Sequence, residues 1–259
     1  MRPEDKELAQ LLNEKFIPVR LVNMKGVDLN YFQFDYDLTF AVLMMNANGY
    51  VYSRFGTMDH TQTTHRMSIA GLKSAMKAVR SFHSFRQDER PPDKSTITLM
   101  DNPAFAQSRQ ASEACYHCHF VGAFRFKDRR AAGWFKKEMV YQYPLPENIG
   151  ITLDMNRNNV VNSVIPDSPA EKAGVKPGDS LINVLAPTHT DLYYVMRQTF
   201  TAADIQFALN EVPDPGKVTL WMKRGSERVD VVVDLPRGWR MSDVSWRSSQ
   251  ATFPPTVGI

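Results

Sequence analysis

The sequence predicts an α/β domain followed by an α+β domain, a small partly open β-barrel with two helices, and three observations carry that prediction. Residues 1–88 read as helix, strand, variable segment, strand, strand and helix. Residues 143–236 carry short strands, a capped short helix with glycine turns, and a closing pair of alternating strands. Between them, Arg90-Pro91-Pro92-Asp93 marks a break, and residues 89–142 read as a linking segment that carries both cysteines of the chain. Residues 237–259 read as a tail that docks on the body.

In the first half, residues 1–15 alternate charge with Leu and Ala as an amphipathic helix does. Phe16-Ile17-Pro18-Val19-Arg20-Leu21-Val22 follows as a buried strand. Phe40 to Met45 and Tyr50 to Phe55 are apolar runs joined by Asn46-Ala47-Asn48-Gly49, where glycine admits positive φ and a hairpin results. Ser68 caps a helix in which Ile69, Leu72, Ala75, Met76 and Val79 recur at helical spacing. This order, with Leu38 to Met44, Gly49-Tyr50-Val51 and Gly56-Thr57, resembles the thioredoxin fold. The resemblance departs at the chemistry. Asn23-Met24-Lys25-Gly26 stands where that family has its dithiol, and Leu38 stands in place of its cis-proline, so the first domain is expected to be non-catalytic.

In the second half, Asp167-Ser168-Pro169-Ala170-Glu171-Lys172-Ala173-Gly174 to Gly178-Asp179 is a helix with its start and stop written in. Ser168 caps, Pro169 fits the first turn, and Gly174 ends the helix in a left-handed conformation. Thr201 caps a second helix, Ala202 to Glu211. Strands Val218 to Met222 and Arg228 to Val233 close the unit, while Ala186 to Phe200 is a long link. These residues resemble the bacterial PDZ signature. The resemblance implies a peptide or protein C-terminus bound by strand addition. Amides around Ile149, Gly150 and Ile151 would receive its carboxylate, and Ile151, Leu153 and Ile205 would line the groove. A PDZ unit packed on its own neighbouring domain is the alternative.

Cys115-Tyr116-His117-Cys118-His119 reads C-x-x-C-H, the spacing of covalent haem attachment: Cys115 and Cys118 as thioethers, His119 as proximal iron ligand. Met100 or Met139, or His60, His65 or His83, would be the sixth ligand. Haem c is one reading. A zinc or copper site built from the same cysteines and nearby histidines is another, and a dithiol redox pair is a third. A helix over Pro103 to Ala114 would deliver Cys115 on its last turn, where the helix dipole raises a thiol pKa and weakens the dithiol reading. Arg125, Lys127, Arg129, Arg130, Lys136 and Lys137 form the densest basic cluster. They would pair with propionates, steer an acidic redox partner, or simply face water.

The arrangement of thioredoxin-like domain, C-x-x-C-H and PDZ unit resembles a group of exported bacterial proteins of the planctomycete type. Haem attachment implies a periplasmic or otherwise exported protein. Residues 1–15 carry neither the basic n-region nor the apolar h-region of a signal peptide, so the expectation is either an export signal ahead of Met1 or, without haem, a cytoplasmic protein. With 43% hydrophobic and 23% charged residues, the 259-residue chain is globular. A net charge of +3 does not argue for nucleic acid, and no apolar run reaches the ~20 residues of a membrane span. No protease motif is legible. The expectation is a non-catalytic protein that binds a partner and transfers electrons or senses redox state. A scaffold in which neither half has chemistry is the competing class.

Overall fold

The computed structural model describes residues 5–58, 66–92, 95–112, 118–187 and 194–252. The first half opens on α1 (Lys6–Lys15), whose Asp5 side chain accepts the Leu8 amide as an N-cap. Strands β1 (Val42–Met45) and β2 (Val51–Phe55) form the expected antiparallel hairpin, with Gly49 at φ +85° in its turn. Helix α2 (Ile69–Arg86) starts at Ser68, whose hydroxyl accepts the Gly71 amide. Leu8, Met44, Tyr52, Phe55, Ala75, Met76 and Val79 bury together where α1, α2 and the hairpin meet.

The thioredoxin-like expectation for residues 1–88 is not confirmed. The strand expected over residues 16–22 is extended but unpaired, and Ile17 and Val19 are 92% and 77% exposed. Among the described residues the sheet of this half is two-stranded. The physical reason is the missing partner: an apolar run becomes a buried strand only where a ladder and a covered face are offered to it.

Residues 99–131 are more than a connection. Asn102 caps and Pro103 opens α3 (Pro103–Ala106), which ends where Ser108 turns its hydroxyl back to the Phe105 carbonyl. The helix expected over residues 103–114 is therefore broken, with a 3₁₀ turn at Arg109–Ser112. Helix α4 (His119–Ala131) then brings Val121 and Phe124 onto Phe105 and Leu99. The rings of Phe105 and Phe124 meet edge-on at 5.1 Å. Met24, Leu29, Phe34 and Tyr36 complete this second core.

The last half is a mixed α and β unit. A 3₁₀ turn at Pro146–Ile149 ends in Gly150 and leads to β3 (Ile151–Leu153), which pairs with β4 (Val161–Val164). Helix α5 (Pro169–Lys172) is capped by Ser168, and Gly174 follows at φ +88° as expected. Strands β5 (Ser180–Pro187), β6 (Tyr194–Gln198), β7 (Gly216–Arg224) and β8 (Glu227–Leu235) form an antiparallel sheet in the order β6-β5-β7-β8. A bridge between Val160 and Ser180 ties the two sheets together. Helix α6 (Ala202–Leu209), capped by Thr201, lies over a core that includes Ile149, Ile151, Leu181, Ile205 and Leu220. Strand β6 forms inside what reads as a long link. It pairs antiparallel with the strand just before it, β5.

The halves meet at a polar seam. The buried Asp204 carboxylate accepts the Ser53 hydroxyl at 2.6 Å, the Arg54 amide at 2.8 Å and the Phe200 amide at 3.0 Å. The Arg54 guanidinium lies 3.6 Å over the Phe207 ring. At the other end of the seam, Asn158 donates to the Gly71 carbonyl and Arg66 pairs with Glu147 at 2.7 Å. A Cβ at position 71 would stand 2.3 Å from the Met155 carbonyl oxygen, so glycine is what permits this approach.

Burial pushes Asp204 up to about 6, against the pull of Ser53 and Arg54. The folded chain thus holds a proton that an unfolded aspartate releases near pH 4. The contribution of this group is full below about pH 4 and is lost as pH rises through about 6. Unfolding measured across this window should show wild type losing on the order of 3 kcal/mol relative to Asp204→Asn between pH 4 and pH 7. A flat difference would contradict a buried, poorly solvated carboxyl.

Candidate functional site

Two places hold the residues that the sequence singles out. The first surrounds Cys118, which stands immediately before α4 and half-buried against the core of Met24, Phe34 and Phe124. Its thiol donates to the Leu38 carbonyl at 3.3 Å. The expected helix polarity is reversed here, because a helix begins after Cys118 instead of ending at the motif. A helix N-terminus favours thiolate. Burial opposes it and dominates: the Cys118 pKa is raised, with the amides of Cys118 and His119 pulling down and the carboxylates of Asp37 and Asp35 adding to the rise.

Those carboxylates belong to a network that sequence reasoning missed. Arg247 forms a bidentate pair with Asp35, at 2.7 and 2.9 Å, and reaches Asp37 at 3.2 Å and the Gln142 carbonyl at 2.6 Å. Asp37 also accepts the Ser249 amide at 2.7 Å and the Ser249 hydroxyl at 2.8 Å. All four side chains are buried. Burial opposes the charge on Arg247, and Asp35 and Asp37 more than offset it, so its pKa lies above the ordinary value. This staple holds the tail, whose helix α7 (Ser248–Thr252) packs on α4. The docked tail is as expected from the sequence. Its means is not, since Asp-x-Asp in an aromatic stretch and a lone Arg carry no pairing signal. Residues 253–259 of the tail lie outside the described residues.

Haem attachment asks for a plate-shaped space on the order of several hundred Å³ open to both thiols and the imidazole. The cavity lined by Leu38, Phe34, Asp35, Tyr143 and Gln206 is about 10 Å³. The Cys118 thiol is turned onto the Leu38 carbonyl, and His119 stacks on Phe120 at 4.8 Å. Both groups are thus engaged with protein neighbours. Met100 sits 39% exposed on a 3₁₀ turn at Leu99–Asp101, and Met139 is half-buried on another at Lys137–Val140. His83 is bonded to the Tyr52 hydroxyl at 2.8 Å. Among the described residues no cluster of three His, Cys, Asp or Glu side chains converges as metal ligands do. Cys115, His117, His60 and His65 lie outside the described residues.

The second place is the expected peptide groove. The structure brings Ile149, Ile151 and Ile205 together, with Leu153 packed against them, but as core: the three isoleucines have no exposed surface. The Gly150 amide, expected to receive a carboxylate, donates to the carbonyls of Pro146 and Glu147. The outer face of α6 is covered by β2 through Asp204 and Phe207. One edge of β3 has no strand partner among the described residues, although Ile151 on it is covered. Among the described residues β3 pairs with β4 alone. The Gly150 carbonyl and the Asp154 amide point to the β4 side, so alternation turns the backbone groups of Ile151 outward.

No protein-family model matches the sequence, and no curated protein matches it. Among solved structures, the chain is similar to a PDZ domain protein from Parabacteroides distasonis, at 17% identity and a TM-score of 0.22. That match covers 32% of this chain and 30% of the other. It is also similar to an HtrA-type protease solved with a decapeptide, at 17% identity and a TM-score of 0.24, covering 40% of this chain and 26% of the other. The chain therefore spans less than a third of the length of either. At TM-scores this low neither likeness decides the fold or the function.

Removing the Arg247 head group leaves two buried carboxylates without their cation. Arg247→Ala should lower stability to chemical denaturation by about 3–5 kcal/mol; a loss below about 1 kcal/mol would mean that water already reaches the pair. In a Cys115→Ser background, the iodoacetamide reactivity of Cys118 should rise with a midpoint above the ordinary thiol value of about 8.5. A midpoint below that value would show the helix N-terminus outweighing burial.

Proposed function

We propose that this chain is a non-catalytic adaptor whose PDZ-type second half takes an extended segment of a partner protein as an added strand on β3. The observation that carries this reading is the edge of β3, which among the described residues has a hydrogen-bonded strand neighbour on one side only; Ile151 is covered there, and the half-buried Leu153 is the edge position a partner strand would meet. A strand edge with unpaired amides and carbonyls is a template for another strand. The elements that surround it are consistent with a PDZ-type unit: the turn ending in Gly150, the capped α5, the helix α6 and the closing β7–β8 hairpin.

Affinity in this mode comes from the main chain, with side-chain selectivity supplied at alternate positions. Leu153, half-buried beside the core, is the side chain placed to read a partner residue. The docking of α6 on β2 narrows the choice, because the helix that would form the second wall of a groove is already in contact with Ser53 and Arg54. The first half and the tail then act as a rigid mount. Cys118 is part of that mount, packed against it through the Leu38 contact.

Peptides displayed with free C-termini should yield binders to the full chain, read by fluorescence polarisation. Binding should be lost when alternate residues of the best peptide are N-methylated, and weakened about tenfold or more by Leu153→Asp. Absence of any binder tighter than roughly 1 mM, or binding indifferent to N-methylation, would overturn strand addition.

A further inference from the structure

The end of α4 makes a protruding, cationic and aromatic tip that the adaptor reading does not use. The Arg129 carbonyl accepts the amides of both Trp134 and Phe135, at 2.8 and 3.0 Å, and Gly133 sits at φ +72° between them. This tight helix ending fixes the direction in which the next residues leave. Phe135 turns inward and meets Phe126 edge-on at 6.0 Å. Trp134 turns outward and is 73% exposed, beside exposed Ala131 and Ala132.

The charge around this tip is mostly positive. Lys127, Arg129, Arg130, Lys136 and Lys137 lie within residues 127–137, against the single acid Asp128. Asp128 is itself engaged, accepting the Ala104 amide at 3.0 Å. The Arg130 guanidinium stacks 4.5 Å over Phe135, which holds its charge at the base of the tip. Lys127, Lys136 and Lys137 are exposed, and Glu138 follows them as an exposed acid.

We propose that this tip is a peripheral docking surface for an anionic lipid bilayer, with the Trp134 indole in the headgroup layer and the lysines and arginines against lipid phosphates. An indole has an apolar body and a polar N–H, which suits it to that layer. Basic side chains beside it are attracted by the negative surface potential, each by about 1 kcal/mol. An acidic protein or a nucleic acid also engages basic and aromatic side chains, and the measurement below separates those partners from a bilayer. No helix among the described residues is long and apolar enough to cross a membrane, so the contact is to the surface.

The full chain should co-sediment with vesicles of phosphatidylcholine containing about one third phosphatidylserine, not with phosphatidylcholine alone, and salt should release it. Tryptophan emission should shift to the blue on binding, and Trp134→Ala should remove most of that shift. The double variant Lys136→Ala/Lys137→Ala, at exposed positions, should bind roughly 30-fold more weakly. Sedimentation with neither vesicle, equal sedimentation with both, or variants that bind like wild type would each overturn the proposal. So would retention on RNA or polyglutamate without retention on anionic vesicles.

Discussion

One buried carboxylate, that of Asp204, decides how the rest of this chain can work. A carboxylate taken out of water needs several donors to offset the loss of hydration. Asp204 finds them on both sides of the seam, in Ser53 and Arg54 of β2 and in Phe200 ahead of α6. Because the donors come from both halves, the halves cannot part without stripping it. The outer wall of α6 is thereby closed by the chain itself, and β3 is left, among the described residues, as a strand with a ladder partner on one side only. The adaptor reading rests on that division.

A second staple obeys different physics. Arg247 meets Asp35 and Asp37 as full opposite charges, with almost no water, and the remaining carboxylate capacity is filled by Ser249. Such a network adds little net stability compared with an apolar filling of the same shape, but breaking it is costly, so it acts as a specificity device for where the tail lies. The tail helix then covers α4 close to the cysteine segment. The carboxylates that hold the tail also bear on Cys118, raising its pKa along with burial.

Local rules carried the sequence reading where local physics decides. Asn46 to Gly49, Ser68, Ser168 with Pro169, Gly174 and Thr201 each specify a turn or cap within a few residues, and each stands as read. The failures share a non-local cause. Residues 16–22 have strand propensity but no partner. Strand β6 is the exception, since it pairs with the strand just before it, β5, within a stretch read as a link. Asp204 reads as an ordinary third-position acid in a capped helix, because nothing in Thr201-Ala202-Ala203-Asp204 points to Ser53. Arg247 and Asp35 are separated by 212 positions, beyond the reach of any spacing rule.

The cysteine motif shows the same limit at the level of chemistry. C-x-x-C-H states that two thiols and an imidazole are neighbours along the chain, and covalent haem attachment needs that. It also needs an empty slot on one side of all three, and the slot is a property of packing. Here α3 ends after one turn, α4 starts after Cys118, and the thiol is laid against Leu38 within a core that Phe34, Phe105 and Phe124 fill. The same three features remove the argument from helix polarity against thiolate and replace it with one from burial. A low-pKa nucleophile requires the helix N-terminus to prevail over desolvation. At Cys118 two nearby carboxylates side with desolvation, which makes the residue a packed member of the mount on which the β3 edge is displayed.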